Sequence, residues 1–251
     1  MDLIIEHLDG TIYRTNQIGI RVKSFDFSSP DFDPAFSELD GLDGKINVGA
    51  KGRERTATAS IDFKPKSESD YISLRNKIFK LFYSKKEFYI TDSREPNIRT
   101  LVRARVFTPE NINHVIGRCE IEFIATNVYR ESVSIWLKEF LNSSTFTLNN
   151  PGDEYVDLRD SRQFFIIRFR GASTNLTIEN TTTLQKWQYT GSSLTSDIIE
   201  MKYVRSTKSG ISIFRDTNHQ IISLAPGDNN FKITGASGVY STEFRFRSYH
   251  I

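Results

Sequence analysis

Four histidines, one cysteine and a run of carboxylates are the side chains of this 251-residue chain that could do chemistry. His7, His114, His219 and His250 do not fall in an HExxH frame, which sets two imidazoles on one helix face for zinc, and none joins a Cys/His cluster. No metal ligand is assigned. His114 lies five residues before Cys119, close enough for a base to serve a thiol, but adjoining loop and strand positions predict a buried thiol and an exposed imidazole. The run Tyr189-Thr190-Gly191-Ser192-Ser193-Leu194 lacks the second glycine of a nucleophile elbow and reads as a turn. Gly49-Ala50-Lys51-Gly52-Arg53-Glu54-Arg55 lacks the hydroxyl and the helix N-terminus of a phosphate cradle, and reads as a basic hairpin tip or a subunit contact. Asp153, Glu154, Asp157 and Asp160 crowd one strand, but a glycosidase pair is defined by separation in space, and solvated strand edges are the expected meaning. Trp187 and Tyr189 share one strand face, where they fill a core or stack on sugar rings. Arg168/Arg170 and Arg245/Arg247 alternate, as on an outward strand face or at an anion site. No catalytic, cofactor-binding or metal residue follows from these patterns.

The composition points the same way. With 33 Lys and Arg against 31 Asp and Glu, the formal charge is +2, so no nucleic-acid grip through phosphate is expected. Hydrophobic residues at 38% and charged residues at 25% exclude a disordered tail. Nineteen Phe and ten Tyr fit half-buried pleated surfaces and favour strands. A single cysteine closes no intramolecular bridge. The opening Met1-Asp2-Leu3-Ile4-Ile5-Glu6 has no basic leader, and no apolar run approaches the ~18 residues that span a bilayer, so the chain reads as soluble and unprocessed.

These residues need elements to position them. Ala57, Ala59, Ile61 and Phe63 alternate with Thr56, Thr58, Ser60 and Asp62, the pattern of a strand with one face buried; Ile18–Phe27 alternates roughly. The segment Ser29–Lys51 matches neither period and reads as an ordered, extended loop. Tyr71, Leu74, Ile78, Leu81 and Phe82 form one helical stripe, with Ser67 and Asp70 as its N-cap. Strands follow at Glu87–Thr91, Thr100–Phe107 and Gly117–Thr126. Val133–Leu141 is amphipathic enough for a second helix, and Asn142-Ser143-Ser144 then marks a boundary between domains 1–141 and 142–251. Beyond it, short strands separated by turn formers such as Gly171-Ala172-Ser173 predict an all-β sandwich. The fold class is mainly β, with one firm helix in the first half.

The order of elements resembles the distal tail (Dit) proteins of long-tailed siphovirus phages. The helix over Tyr71–Phe82 precedes Phe88-Tyr89-Ile90-Thr91-Asp92-Ser93-Arg94-Glu95-Pro96, then the strand Val102-Arg103-Ala104-Arg105-Val106. Near the C-terminus, Leu224-Ala225-Pro226-Gly227-Asp228-Asn229 precedes Phe244-Arg245-Phe246-Arg247-Ser248-Tyr249. The resemblance covers nearly the whole chain and rests on order and layout rather than on invariant residues. It implies an N-terminal domain assembling as a hexameric ring and a C-terminal galectin-like β-sandwich. It further implies a structural hub of the tail tip or baseplate, joined to the tail-tube protein and to tip or receptor-binding proteins. The virion tail tip is the implied location, after assembly in the host cytoplasm, and DNA passes the lumen without specific binding. The galectin sugar pattern His-x-Asn-Pro-Arg is absent; Asn149-Asn150-Pro151-Gly152 comes nearest and lacks both His and Arg, so sugar binding is not carried over.

Two further readings stay open. A carbohydrate-binding adhesin or accessory module would use Trp187 and Tyr189, and a hydrolase would need carboxylates converging from distant strands. The hub reading, in contrast, expects a non-enzymatic chain without cofactors. Its subunit-interface candidates are Phe32, Phe36 and Leu39 in the irregular segment, with Arg53 and Arg55 just beyond it.

Overall fold

The computed structural model describes residues 1–41, 43–83, 85–112 and 116–251. Strands take up 56% of the residues and helix 9%, so the chain is mainly β, as its aromatic content and alternation predict. It divides into two compact units, Met1–Arg130 with Ile251, and Glu131–His250.

The first unit is built on β1 (Leu3–His7), β2 (Ile12–Arg14), β3 (Ile20–Phe27), β6 (Arg55–Phe63), β7 (Phe88–Asp92), β8 (Ile98–Ala104) and β10 (Gly117–Ala125), with the short β9 (Glu110–Asn111) paired to the start of β10. Their order across the sheet is β2-β1-β7-β8-β10-β6-β3, antiparallel throughout. β6 does what its pattern demands: Ala57, Ala59, Ile61 and Phe63 are buried in alternation. On one side Ile61 faces Cys119 and Ala57 faces Phe123 in β10; on the other Ile61 faces Val22 and Ala59 faces Phe25 in β3. Alternation in β3 is rough because the register shifts between Val22 and Ser24. The extra residue lets Val22 and Phe25, three apart, both point inward. The small Ala57 and Ala59 leave room for Phe25 and Phe123, whose rings meet edge to face at 6.3 Å.

Helix α1 (Glu68–Leu81) lies over this core. The Ser67 hydroxyl accepts from the Asp70 amide at 3.2 Å, and the Asp70 carboxylate accepts from the Lys66 amide at 2.7 Å, which satisfies donors that the first turn leaves open. Ile78, Leu81 and the following Phe82 are buried, each worth about 1.5–3 kcal/mol by area removed from water. Tyr71 and Leu74 are half-buried against the same cluster, and the Tyr71 hydroxyl donates to the Pro109 carbonyl at 2.8 Å.

Between β3 and β6 the irregular segment is a hairpin rather than a loop. β4 (Phe32–Ser37) and β5 (Ile46–Gly52) pair only with each other, from Phe32 opposite Gly52 to Ser37 opposite Ile46. Every residue of both strands is exposed. With neither face against a core, nothing imposes a period of two, so the sequence shows none. Pro34 is tolerated because each strand of an isolated pair has a free edge.

The second unit centres on two long antiparallel strands, Phe165–Asn180 and Gly227–Phe246, paired from Phe165 opposite Phe246 to Asn180 opposite Phe231. The turn expected at Gly171-Ala172-Ser173 is instead an irregularity inside the first of these, where Gly171 takes φ 144° and the register shifts. Opposite lies Gly235 at φ 83°, where a Cβ would stand 2.6 Å from the Thr174 and Asn175 carbonyl oxygens. The strands bend there without ending.

Val133–Leu141 is not a second helix. Trp136–Leu141 is a strand paired with Ser241–Phe246, and Phe140 stacks on Phe146 at 3.8 Å. Its apolar spacing fits a helical stripe, but the long strand beside it offers a ladder, and tertiary pairing decides. Trp136–Leu141 thereby lies within the second compact unit, Glu131–His250.

Candidate subunit-contact surface

The arm formed by β4 and β5 brings three of the five interface candidates together. Phe32, Phe36 and Leu39 are all exposed, with Phe36 at 54%, and the structure adds Ile46 and Val48, the latter 61% exposed. These two escape the sequence reading because two apolar residues flanking Asn47 are too few to set a period; in the pair Ile46 lies opposite Ser37, Asn47 opposite Phe36, and Val48 at the register shift that follows. An isolated two-stranded hairpin is marginal in water, so exposed apolar side chains on one mark a surface that needs a partner.

Arg53 fastens the root of this arm. Its amide donates to the Asp31 carbonyl at 2.8 Å and its guanidinium meets the Asp33 carboxylate at 2.7 Å. The hydrogen bond it donates to Asp33 raises the Arg53 pKa further, so this cation persists at any working pH. Arg55 departs from its expected place. It is 7% exposed, its Nε donates to the Ser28 carbonyl at 2.8 Å, and its guanidinium lies over the Phe27 ring at 5.2 Å. Burial and the nearby Arg130 lower its pKa. Arg55 therefore locks the base of the arm and is not offered to a neighbour.

The sites of the competing readings are occupied by internal bonds. Trp187 borders a cavity of about 250 Å³ yet is only 2% exposed, and its Nε1 donates to the Ser206 hydroxyl at 3.1 Å. Tyr189 is 3% exposed and its hydroxyl donates to the Ser192 carbonyl at 3.3 Å. Neither presents a ring face on which a sugar could stack. Asp157 pairs with Arg159 at 2.6 Å and Asp160 with Arg162 at 2.8 Å, the latter bond holding the Asp160 carboxyl below its usual range. Arg168 bonds Glu200 at 2.6 Å and Arg245 bonds Glu243 at 2.7 Å, while Arg247 donates to the Ser132 and Val133 carbonyls. These arginines bind the protein's own groups.

Cys119 is buried, and desolvation pushes its thiol up to about 11, the opposite of what a nucleophile requires. His114 lies outside the described residues. Among the described residues no group of three His, Cys, Asp or Glu could hold a metal ion, and no helix is long and apolar enough to cross a membrane.

Residues 8–125 match the family model of the phage tail protein RIFT-related domain. The whole chain superposes on the Dit protein of phage SPP1, described as a paradigm of the hub adsorption apparatus in phages infecting Gram-positive hosts. The TM-score is 0.74, with 14% identity and 99% of each chain covered. A chain of the phage p2 baseplate in its activated conformation with strontium matches at a TM-score of 0.50 and 8% identity, covering 98% of this chain and 97% of that one. At these identities the likeness is one of fold. No curated protein matches the sequence. Neither comparison indicates an enzyme family, and the resemblance to distal tail proteins read from the order of elements is borne out.

Proposed function

We propose that this chain, with a phage tail domain over residues 8–125 and the fold of a distal tail protein along its length, is a structural hub of a phage tail tip or baseplate. The reading is a non-enzymatic one. Six copies close a ring through the first unit, the ring joins the tail tube to the tip and receptor-binding proteins, and DNA passes through its lumen without being read. The second unit is then the outward, galectin-like part. One observation carries the proposal: the arm β4–β5 exposes Phe32, Phe36, Leu39, Ile46 and Val48 on a two-stranded sheet that pairs with no other strand among the described residues.

Energetics favour an intermolecular use of the arm. Covering a Phe or Leu side chain from water contributes about 1.5–3 kcal/mol, and a ring makes the contact once per subunit. The near-neutral charge suits a DNA conduit, since a strongly basic lumen would hold phosphate. The test is substitution of Phe36→Asp with Val48→Asp in the full-length protein, followed by light scattering. Loss of the ring with the fold unchanged by circular dichroism supports the reading. A ring that survives both changes removes the arm from the interface.

A further inference from the structure

The arm needs an acceptor, and the first unit carries a surface of matching chemistry. β2 is the terminal strand of its sheet and, among the described residues, is paired on one side only, to β1. Between β2 and α1 lie two adjoining cavities of about 480 and 520 Å³ that share Tyr13 and Lys80. Phe79 and Tyr83 line the first, Lys77 lines the second, and all of these side chains are exposed. Ile12 beside them is 60% exposed. An apolar, aromatic groove at the open end of a sheet is an unusual thing to leave in water.

The groove also carries charge. Lys77 and Lys80 make no ion pair among the described residues, and Lys86 adds a third cation. Asp9 also lines the groove as an anion, held by the Thr11 amide at 2.9 Å and near Lys86, so the cations without a nearby counter-charge in the lining are Lys77 and Lys80. The arm carries the opposite sign at its tip, with Glu38, Asp40 and Asp43 around the turn and Lys45 paired to Glu38 at 3.1 Å. Both surfaces thus combine exposed apolar side chains with unlike charge, the combination that steers encounter and fixes register.

The two surfaces stand apart on one subunit. Gly19, just before β3, lines the groove, whereas the arm leaves after Phe27, at the far end of β3. Eight residues of strand separate them by roughly 25 Å. Different patches at different ends of one subunit make a head-to-tail contact, which closes into a ring when the rotation allows.

We propose that the occupant of the β2–α1 groove is the arm of a second copy of this chain, seated with its apolar side chains on Tyr13, Phe79 and Tyr83 and its acidic tip against Lys77 and Lys80. This rests on the ring reading above and names its acceptor. The opposite sheet end is a poorer acceptor, because there Lys23 and Arg118 are both engaged by Asp62, at 3.6 and 3.1 Å.

The experiment uses full-length protein at high concentration and with the tail-tube protein of the same phage. Wild type is compared with Lys77→Glu/Lys80→Glu, with Asp40→Lys/Asp43→Lys, and with all four changes together. Each pair is expected to weaken assembly tenfold or more at ordinary salt, and the quadruple variant to regain most of it. As a second readout, Phe36→Cys combined with Phe79→Cys should give intermolecular disulfide ladders on mild oxidation, with Cys119 buried and silent. Rings that persist in Lys77→Glu/Lys80→Glu, no recovery in the quadruple variant, or no ladder would overturn the groove as acceptor while wild-type rings leave the hub reading standing. A monomeric wild type under both conditions would overturn the hub reading itself, and this proposal with it.

Discussion

Arg53 and Asp33 meet at 2.7 Å across the root of the arm, where an ion pair ties the exposed hairpin to the segment that re-enters the sheet. Both side chains are more than half exposed, so the pair contributes little to global stability. Its value is orientation. Arg53→Ala is expected to leave the melting temperature unchanged and to raise amide exchange across 32–37 and 46–52, measured by mass spectrometry. Unchanged exchange in the arm would show that β4 and β5 hold their course without it.

The helix α1 tests the packing of the first unit. Ile78 is buried against the sheet, so Ile78→Ala is expected to cost about 2–5 kcal/mol in urea unfolding. Leu74→Ala should cost less, because Leu74 is only half-buried at the edge of the same cluster. Equal losses at both positions would mean that the helix sits lower on the sheet than described.

Cys119 gives a pH-dependent signature. Burial disfavours the thiolate and pushes the Cys119 thiol up from its ordinary 9.0 to about 11 in the fold. Between these values the unfolded chain binds fewer protons than the native one, so its contribution is intact below pH 9 and stability falls as pH rises toward 11. Native protein at pH 8 should resist a thiol reagent and react fully in denaturant. Rapid labelling of the native protein would place Cys119 at the surface.

Gly235 supports the close approach of the two long strands of the second unit. At φ 83°, with carbonyl oxygens 2.6 Å from a would-be Cβ, alanine there has neither the conformation nor the space. Gly235→Ala should destabilise the fold by about 1–3 kcal/mol, read by thermal denaturation. A neutral effect would mean that the strands can separate locally at the bend.

What could be read in the chain follows from what each segment touches. Thr56–Phe63 declared itself because β6 buries one face between two neighbours, and α1 did so because its stripe lies on that sheet. The arm was invisible as a hairpin because solvent on both faces imposes no period, although Phe32, Phe36 and Leu39 stood out among its acids. Trp136–Leu141 was misread as helical because its apolar positions satisfy that period, and only its ladder with Ser241–Phe246 makes it a strand. Glycines that usually end strands, Gly171 and Gly235, here bend them, which local sequence does not distinguish from a turn. Arg55 shares the charge and neighbourhood of Arg53 yet turns inward, because Phe27 and the Ser28 carbonyl wait beneath it.

The most direct test of the account is the mass and image of the full-length protein in solution. Native mass spectrometry and negative-stain microscopy at high concentration, alone and with the tail-tube protein, should show a six-fold ring of six times the 28.9 kDa of one chain. A 28.9 kDa monomer under both conditions would contradict it.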